Sequence, residues 1–416
     1  MRGLFLIVAL GFGASAFAQT APASAPVTLA TVLQAARENA DVSLARRSLA
    51  AAQADILSAN HPPPPQLIAK SSSMDLQHGL GPGNLLRDKR IDKSIGLDWT
   101  YERGNKRQLR TRAAESAAGA ARFDVQEVVT QQQIGAAAAF YDLLAAQEKV
   151  AHIEAIERSA AQLADASRRR LRAGDVSQQE TTRIEIEAQR AAADLRTAQA
   201  ERQRAMLALA QITRLPGALV ADSGWPALTL DGLQPGDPDR RPDVEAARQR
   251  VAAAEASLEN ALALRRNDVT VGASYDHFPG TSTRLVELRM QMPLAGVLGS
   301  YEYQGEIGHA RATLDQAQDQ LDKTRLVATI DNQRLLRDVE AAASRARTFQ
   351  EDIVPRARQV ASMAELAYGK GASSLTELID ARRTLRTVLL DDVAAHAEYA
   401  RALSAWQLRQ SAVSLP

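Results

Sequence analysis

The run Asn39-Ala-Asp-Val-Ser-Leu-Ala-Arg-Arg-Ser-Leu-Ala-Ala-Ala-Gln-Ala54 returns later in the chain as Arg241-Pro-Asp-Val-Glu-Ala-Ala-Arg-Gln-Arg-Val-Ala-Ala-Ala-Glu-Ala256. Asp41/Asp243, Val42/Val244, Ala45/Ala247, Arg46/Arg248 and Ala54/Ala256 coincide at one offset. A second echo lies at nearly the same spacing. Arg172-Ala-Gly-Asp-Val-Ser177 matches Lys370-Gly371 through Ser374, with Gly174/Gly371, Ser177/Ser374 and Glu180/Glu377 aligned. Shared order at a near-constant offset separates this from chance similarity between Ala-rich tracts. The chain therefore reads as two tandem repeats, residues 19–215 and 242–416, joined by a linker over 216–241.

Each repeat has the same succession of elements. A helix (Leu29–Ala59, then Pro242–Leu264) leads into two short extended segments. Those segments are 66–72 and 93–101 in the first repeat, and 268–275 and 284–292 in the second. Ile95-Gly-Leu-Asp-Trp-Thr-Tyr101 and Val269-Thr-Val-Gly-Ala-Ser-Tyr275 alternate as strands do. A very long helix follows (Asn105–Leu171; Glu306–Ala367), then a Gly turn and a return helix (Gln178–Thr213; Leu375–Val413). No Pro interrupts Gly83–Leu215 or Arg356–Leu415, and both tracts are rich in Ala, Leu, Gln, Glu and Arg. As one helix, Asn105–Leu171 would be roughly 100 Å long. Leu378, Leu385, Asp392, Tyr399, Trp406 and Val413 recur every seventh residue, with Leu375, Arg382, Leu389, His396 and Leu403 as the companion series. That period implies left-handed supercoiling along a partly wet seam. The fold class is mostly α with a small β part, a tall helical column with an irregular waist.

Composition narrows the function. The chain has 416 residues, 50 Lys plus Arg against 49 Asp plus Glu, and no Cys. Charge balance gives no general reason to bind nucleic acid. The absence of Cys removes disulfides, thiolate metal sites, Cys nucleophiles and lipid attachment through an N-terminal Cys. Met1-Arg2, the apolar run Leu4–Phe12 and Ala16-Phe17-Ala18 read as a signal peptide over residues 1–18, with the exported chain starting near Gln19. No later stretch holds 18 consecutive apolar residues. His61, His78, His152, His277, His309 and His396 include no i,i+3 or i,i+4 pair, so a zinc site is unsupported. No phosphate loop or nucleophile elbow is present, and neither enzymatic activity nor a cofactor is expected.

The extended segments are close to the length that crosses a bilayer when tilted, ~9–11 residues. Trp99, Tyr101, Tyr275, Phe278, Tyr301 and Tyr303 lie in or beside them, as in an interfacial girdle. Four strands cannot close a barrel, and an open edge is not tolerated in lipid. Membrane-bound strands would have to be shared between chains. The alternative at this point is a small soluble sheet capping a helical bundle, in a periplasmic coiled-coil scaffold or adaptor.

The duplicated Asp-Val-x-x-Ala-Arg helix starts, the two Gly turns and the stretch Tyr368-Gly-Lys-Gly371-Ala-Ser-Ser374-Leu-Thr-Glu377-Leu-Ile-Asp380-Ala381-Arg382 together resemble the TolC family of outer-membrane efflux channels. The resemblance covers nearly the whole exported chain. It implies a homotrimer whose shared barrel has ~12 strands in outer-membrane lipid, continued by an α-helical tunnel through the periplasm. It also implies two partners, a periplasmic adaptor (membrane fusion) protein and an inner-membrane pump of the RND type. Tyr101-Glu102-Arg103-Gly104-Asn105-Lys106-Arg107 is similar to the Gly-Lys-Arg signature of the cobalt–zinc–cadmium (CzcC-like) branch, with Asn105 where that branch often has Gly. Heavy-metal cations are the cargo this implies, with multidrug export or type I secretion as the alternatives.

By the family motif, Glu377 and Asp380 match acidic positions of the periplasmic entrance. Three apart on one helix face, they would ring a narrow pore in three copies and favour cations. The local alternative is a solvated acidic face partnered by Arg382 and Arg383. Arg172, Gly174 and Ser177, with Tyr368, Gly371 and Ser374, form the tips expected to meet the adaptor. The plain reading of both glycines is a turn residue at positive φ.

Overall fold

The computed structural model describes residues 24–72, 77, 91–230, 232–278, 282–293 and 301–412. The expected export signal, His78 and Val413 lie outside the described residues.

Helices dominate. After a short strand β1 (Ser24–Val27) come α1 (Leu29–Ala36) and α2 (Ala40–Ala59), then strands β2 (Gln66–Ser72) and β3 (Asp92–Tyr101). Two long helices, α3 (Lys106–Ala173) and α4 (Gln178–Thr213), make the first hairpin. Strand β4 (Ala218–Ala221) opens the linker, and α5 (Pro242–Ala263), β5 (Val269–Phe278) and β6 (Ser282–Gln291) begin the second half. The second hairpin is α6 (Gln304–Thr348), a π turn (Phe349–Ile353) and α7 (Val354–Gly369), paired with α8 (Leu375–Ala412).

Two helices expected to be continuous are interrupted, for local reasons. Leu29–Ala59 breaks at Arg37–Asn39, because the Asn39 side chain accepts from the backbone N–H groups of Asp41 (2.7 Å) and Val42 (3.2 Å) and starts α2 afresh. Glu306–Ala367 is interrupted by the π turn that precedes Pro355. Proline lacks an N–H and its ring crowds the carbonyl four residues back, and the wider π turn accommodates both. The parallel pair β1–β4 is an element that alternation did not disclose, since each strand has four residues.

The two glycine turns are formed alike. Gly174 and Gly371 have φ of 84° and 72°, a left-handed conformation in which a side chain would clash. The N–H of Asp175 then bonds the carbonyl of Arg170 (2.9 Å), and that of Ala372 bonds Ala367 (2.8 Å), closing both helix ends. Each return helix opens with a serine cap, Ser177 on the N–H of Glu180 (3.1 Å) and Ser374 on that of Glu377 (3.3 Å).

The internal repeat also has a structural counterpart at the foot of α2 and α5. Asn39 donates to Gln132 on α3 (2.6 Å), and Gln132 donates to Asp41 (2.9 Å). Arg241, 3% exposed, donates to Asp243, Asp331 and Asn332, the last two on α6. Both halves thus pin the start of a short helix to its long neighbour. One pin is built of amides, the other of an ion-pair network.

Packing is spread along the column in separate clusters. The waist holds Val32, Phe140, Leu143, Leu209 and Leu219 in one cluster, and Val339, Tyr399 and Leu403 in another. Tyr399 is fully buried and donates to the carbonyls of Ala227 (2.7 Å) and Thr229 (3.3 Å), tying the linker to α8. The glycine-turn end has a smaller cluster of Ala164, Ile184, Leu375 and Leu378. A fully buried large apolar side chain contributes about 1.5–3 kcal/mol, so the waist is more firmly packed than the tip. Small residues at Ala136, Ala137 and Ala139 let α3 approach its neighbours closely.

Candidate channel gate and membrane sheet

The sheet is antiparallel throughout, in the order β2-β3-β5-β6. The two hairpins meet along β3–β5, and among the described residues β2 and β6 are the edge strands. Its two faces differ in chemistry. Leu67, Leu97, Ala273 and Leu288 share one cross-strand row, and Ala69, Ile95, Tyr275 and Val286 share another on the same face. Trp99, Val271 and Met290 continue it. These large apolar side chains are exposed, Leu288 at 82% and Val286 at 74%. The opposite face carries Gln66, Asp98, Gly272 and Arg289 in one row, and Ile68, Gly96, Ser274 and Glu287 in the next. Arg289 reaches over Gly272 to Asp98 at 2.6 Å. A Cβ at Gly272 would lie 2.1 Å from the Asp98 carboxylate, so only glycine admits this bridge.

A lock joins sheet to column. Lys106, 6% exposed, donates to Asp268 (2.8 Å) and to the carbonyl of Arg266 (2.9 Å), while the N–H of Arg103 also donates to Asp268 (2.9 Å). Glu102 and Arg110 add a two-point ion pair (2.5 and 3.1 Å). Gly104 and Asn105 are both left-handed, with φ of 80° and 58°. The Gly104-Asn105-Lys106-Arg107 signature therefore turns β3 into α3 and fastens it to the α5–β5 junction. Asn105 serves at its position because asparagine tolerates this conformation better than most residues with a Cβ.

At the other end the tips of the two hairpins are held together. Tyr368 of α7 donates to Glu180 of α4 at 2.8 Å, and burial, followed by that bond, pushes the phenol above its ordinary value. Arg383 of α8 meets Glu187 of α4 at 2.5 Å, and Arg386 meets Asp194 at 2.7 Å. Arg382 turns to Glu365 within its own hairpin (2.9 Å). A groove of about 970 Å³ between the hairpins is lined by the Arg383–Glu187 and Arg386–Asp194 pairs together with Leu163, Ile184, Ile379 and Leu389.

The residues singled out in the sequence are distributed as follows. Arg172, Gly174, Ser177, Gly371 and Ser374 are exposed around the two turns, and Tyr368 is half-buried between the hairpins. Glu377 is exposed and completes a capping box, its carboxylate accepting weakly from the N–H of Ser374 (3.4 Å). Asp380 is exposed, and among the described residues no donor reaches its carboxylate within hydrogen-bond distance. Arg382 and Arg383 bridge to Glu365 and Glu187, and neither is the ion-pair partner of Glu377 or Asp380. Sequence reasoning aligned Glu180 with Glu377 but did not see that Tyr368 takes it up, nor that Glu187 and Asp194 receive the arginines. Those pairs are about 190 residues apart in the chain, and no local spacing signals them. Among the described residues, no group of three or more His, Asp or Glu side chains is placed to hold a metal ion, and no helix is long and apolar enough to cross a membrane.

A sheet with one apolar and one polar face, standing on two long helical hairpins, is the protomer architecture of an outer-membrane channel. The outer membrane protein VceC of Vibrio cholerae superimposes with a TM-score of 0.74 at 17% identity, over 92% of this chain and 96% of VceC. In sequence, the chain is 26% identical over 377 residues to the cobalt-zinc-cadmium resistance protein CzcC of Cupriavidus metallidurans, covering 87% of this chain and 85% of CzcC. It is 25% identical over 171 residues to the pyoverdine export outer membrane protein OpmQ of Pseudomonas putida, 40% of this chain and 36% of OpmQ. No family model matches. In sequence and in fold the chain resembles the outer-membrane efflux channels of the TolC family, and its place is the outer membrane.

Proposed function

We propose that this chain is one third of a passive exit duct for divalent heavy-metal cations. Three copies share a barrel of ~12 strands, and their hairpins form a tunnel closed at the glycine-turn end. An adaptor and an inner-membrane RND-type pump open the tunnel and drive transport. The carrying observation is the sheet. Its apolar face is exposed from Leu67 to Met290, and among the described residues its edge strands are β2 and β6. In lipid every unpaired backbone group costs several kcal/mol, so an open four-stranded sheet must be closed by neighbours. A soluble scaffold would have no use for that face. Leu326, Val327 and Ile330 on α6, all more than half exposed, supply an apolar stripe for a neighbouring protomer.

The gate is assigned to Glu377 and Asp380. Both are exposed, and three copies would place six carboxylates at the narrow end, attracting cations. Tyr368–Glu180 and Arg383–Glu187 latch the two hairpins just beside them. Opening separates the hairpins, and the adaptor meets the exposed turns at Arg172, Gly174 and Ser177 and at Gly371 and Ser374. Metal cargo is supported by the overall similarity to CzcC. The Gly-Asn-Lys-Arg signature bears on it only as a family mark, because its described contacts are structural. Export of an organic siderophore is the second reading, supported by the partial match to OpmQ.

The test is fractionation and mass. The exported protein should partition with the outer membrane and migrate as a detergent-resistant trimer that conducts ions in a planar bilayer. A protein that is soluble and monomeric without detergent would refute the duct. Deleting the gene should sensitise cells to zinc, cobalt or cadmium; sensitivity to organic compounds alone would favour the second reading.

A further inference from the structure

The π turn between α6 and α7 is the one described interruption of hairpin two, and it lies against a cluster that the duct reading does not use. His396 of α8, its side chain 12% exposed, faces this turn. Its Nδ1 lies 3.1 Å from the Asp392 carbonyl and 3.4 Å from the Asp392 carboxylate, and its Nε2 lies 3.4 Å from the Gln350 side-chain oxygen. Gln350 belongs to the π turn. Both ring nitrogens therefore face acceptors, and one oxygen of Asp392 is buried without a hydrogen-bond partner.

The other elements packed here add their own groups. From α3 come Glu148 and His152, 3.7 Å apart, both within electrostatic range of Asp392. From the linker comes Trp225, whose ring lies 5.9 Å from His396 and whose Nε1 donates to Glu148 at 2.6 Å. From α7 comes Arg358, which also acts on Asp392. Arg345 of α6 is taken up by Glu398 of α8, 2.8 Å away. Four parts of the chain meet at His396, and one of them is the π turn that interrupts the hairpin proposed to move.

We propose that His396 is a proton-operated clamp on the π turn. With both nitrogens protonated, the ring donates to Asp392 on one side and to Gln350 on the other, fastening α8 to the turn. With one proton, it can donate to only one of them, and the turn is freer to bend. Histidine is the side chain whose charge changes between pH 5 and 8, so the clamp tightens as the periplasm acidifies and loosens as it returns to neutrality. Bending at the π turn swings α7 relative to α6 and carries Tyr368 away from Glu180. The inference rests on the reading that hairpin two moves to open the tip.

Hydrogen–deuterium exchange on the purified full-length protein tests it, at pH 5.5 and 7.5 and after correction for the intrinsic exchange rate. Residues 345–358 should be protected roughly tenfold more at pH 5.5, the scale of one charge-assisted hydrogen bond. His396→Gln, which keeps a donor and an acceptor without the charge, should abolish that difference. Asp392→Asn, which keeps the ring, should reduce it. Equal protection at the two pH values in the wild type, or a pH effect that survives His396→Gln, would overturn the clamp. Bilayer opening rates separate the two readings: exchange that behaves as stated, with openings indifferent to both pH and His396→Gln, leaves the clamp standing and removes its link to the gate.

Discussion

Cutting the tip latch should open the duct, and the structure sets the size of the effect. Tyr368→Phe removes one hydrogen bond to a carboxylate at 2.8 Å. Such a bond contributes about 1.5–3 kcal/mol when buried. Glu180 is only half-buried, so water recovers part of this and about 1 kcal/mol remains. Arg383→Ser removes an ion pair whose members are 53% and 26% exposed. That pair contributes about 0.5 kcal/mol after solvent screening. The bonds share no atoms, so the losses add to about 1.5 kcal/mol per protomer. This shifts the closed-to-open ratio roughly tenfold for each hairpin pair. Open probability of the purified trimer in a planar bilayer is the assay, with Tyr368→Phe alone intermediate. Glu180→Gln keeps an acceptor for the phenol and should fall between wild type and Tyr368→Phe. If the double variant is folded and its open probability equals that of the wild type, the latch does not hold the gate.

Glu377→Gln combined with Asp380→Asn should weaken cation preference, read as a reversal potential under a salt gradient, with little change in thermal stability because glutamine still serves the capping box. Ser374→Ala should do the opposite, costing about 1 kcal/mol locally while leaving ion preference unchanged. Gly272→Val should weaken the detergent-resistant trimer, since the new Cβ displaces the Asp98 carboxylate from Arg289; a trimer band as heat-stable as that of the wild type would count against it. The His152 hydrogen bond, and after it that of Trp225, holds the Glu148 carboxyl below its ordinary value against the opposing effect of burial. A depressed carboxyl stabilises the fold above the ordinary carboxylate range and loses that contribution as pH falls through the folded value. Glu148→Gln should therefore flatten the acid limb of melting temperature against pH; an unchanged acid limb would count against this account.

Much was legible in the residues themselves. Proline-free Ala/Leu/Gln/Glu/Arg tracts specify helices because propensity and the absence of breakers act locally. The heptad series on α8 ran true: Leu375, Leu378, Leu389, Tyr399 and Leu403 are buried, and Arg382, Asp392 and His396 form its wetter positions. The glycine turns were visible at Gly174 and Gly371, since each needs only its nearest neighbours; that Ser177 and Ser374 cap the return helices is a finding of the structure. Strand alternation located the sheet but placed its limits short: β5 continues to Phe278 and β6 begins at Ser282.

What lay beyond reach was pairing at a distance. Asn39 lay inside an expected continuous helix; its side chain caps α2 locally, and its further bond to Gln132 on α3 is one that no spacing in the sequence signals. Pro355 could have ended a helix; a π turn instead lets the helix continue, because the neighbouring α8 holds both sides. Arg383 faced Asp380 one turn away in the sequence and Glu187 across the hairpins, and tertiary packing chose the distant partner. Periodicity, caps and breakers thus determined the elements and their order, since those depend on interactions over a few residues. The tip latch, the bond of Tyr399 to the linker and the pairing of the two strand hairpins into one sheet were decided by the fold, because groups far apart in sequence meet only after the column has assembled.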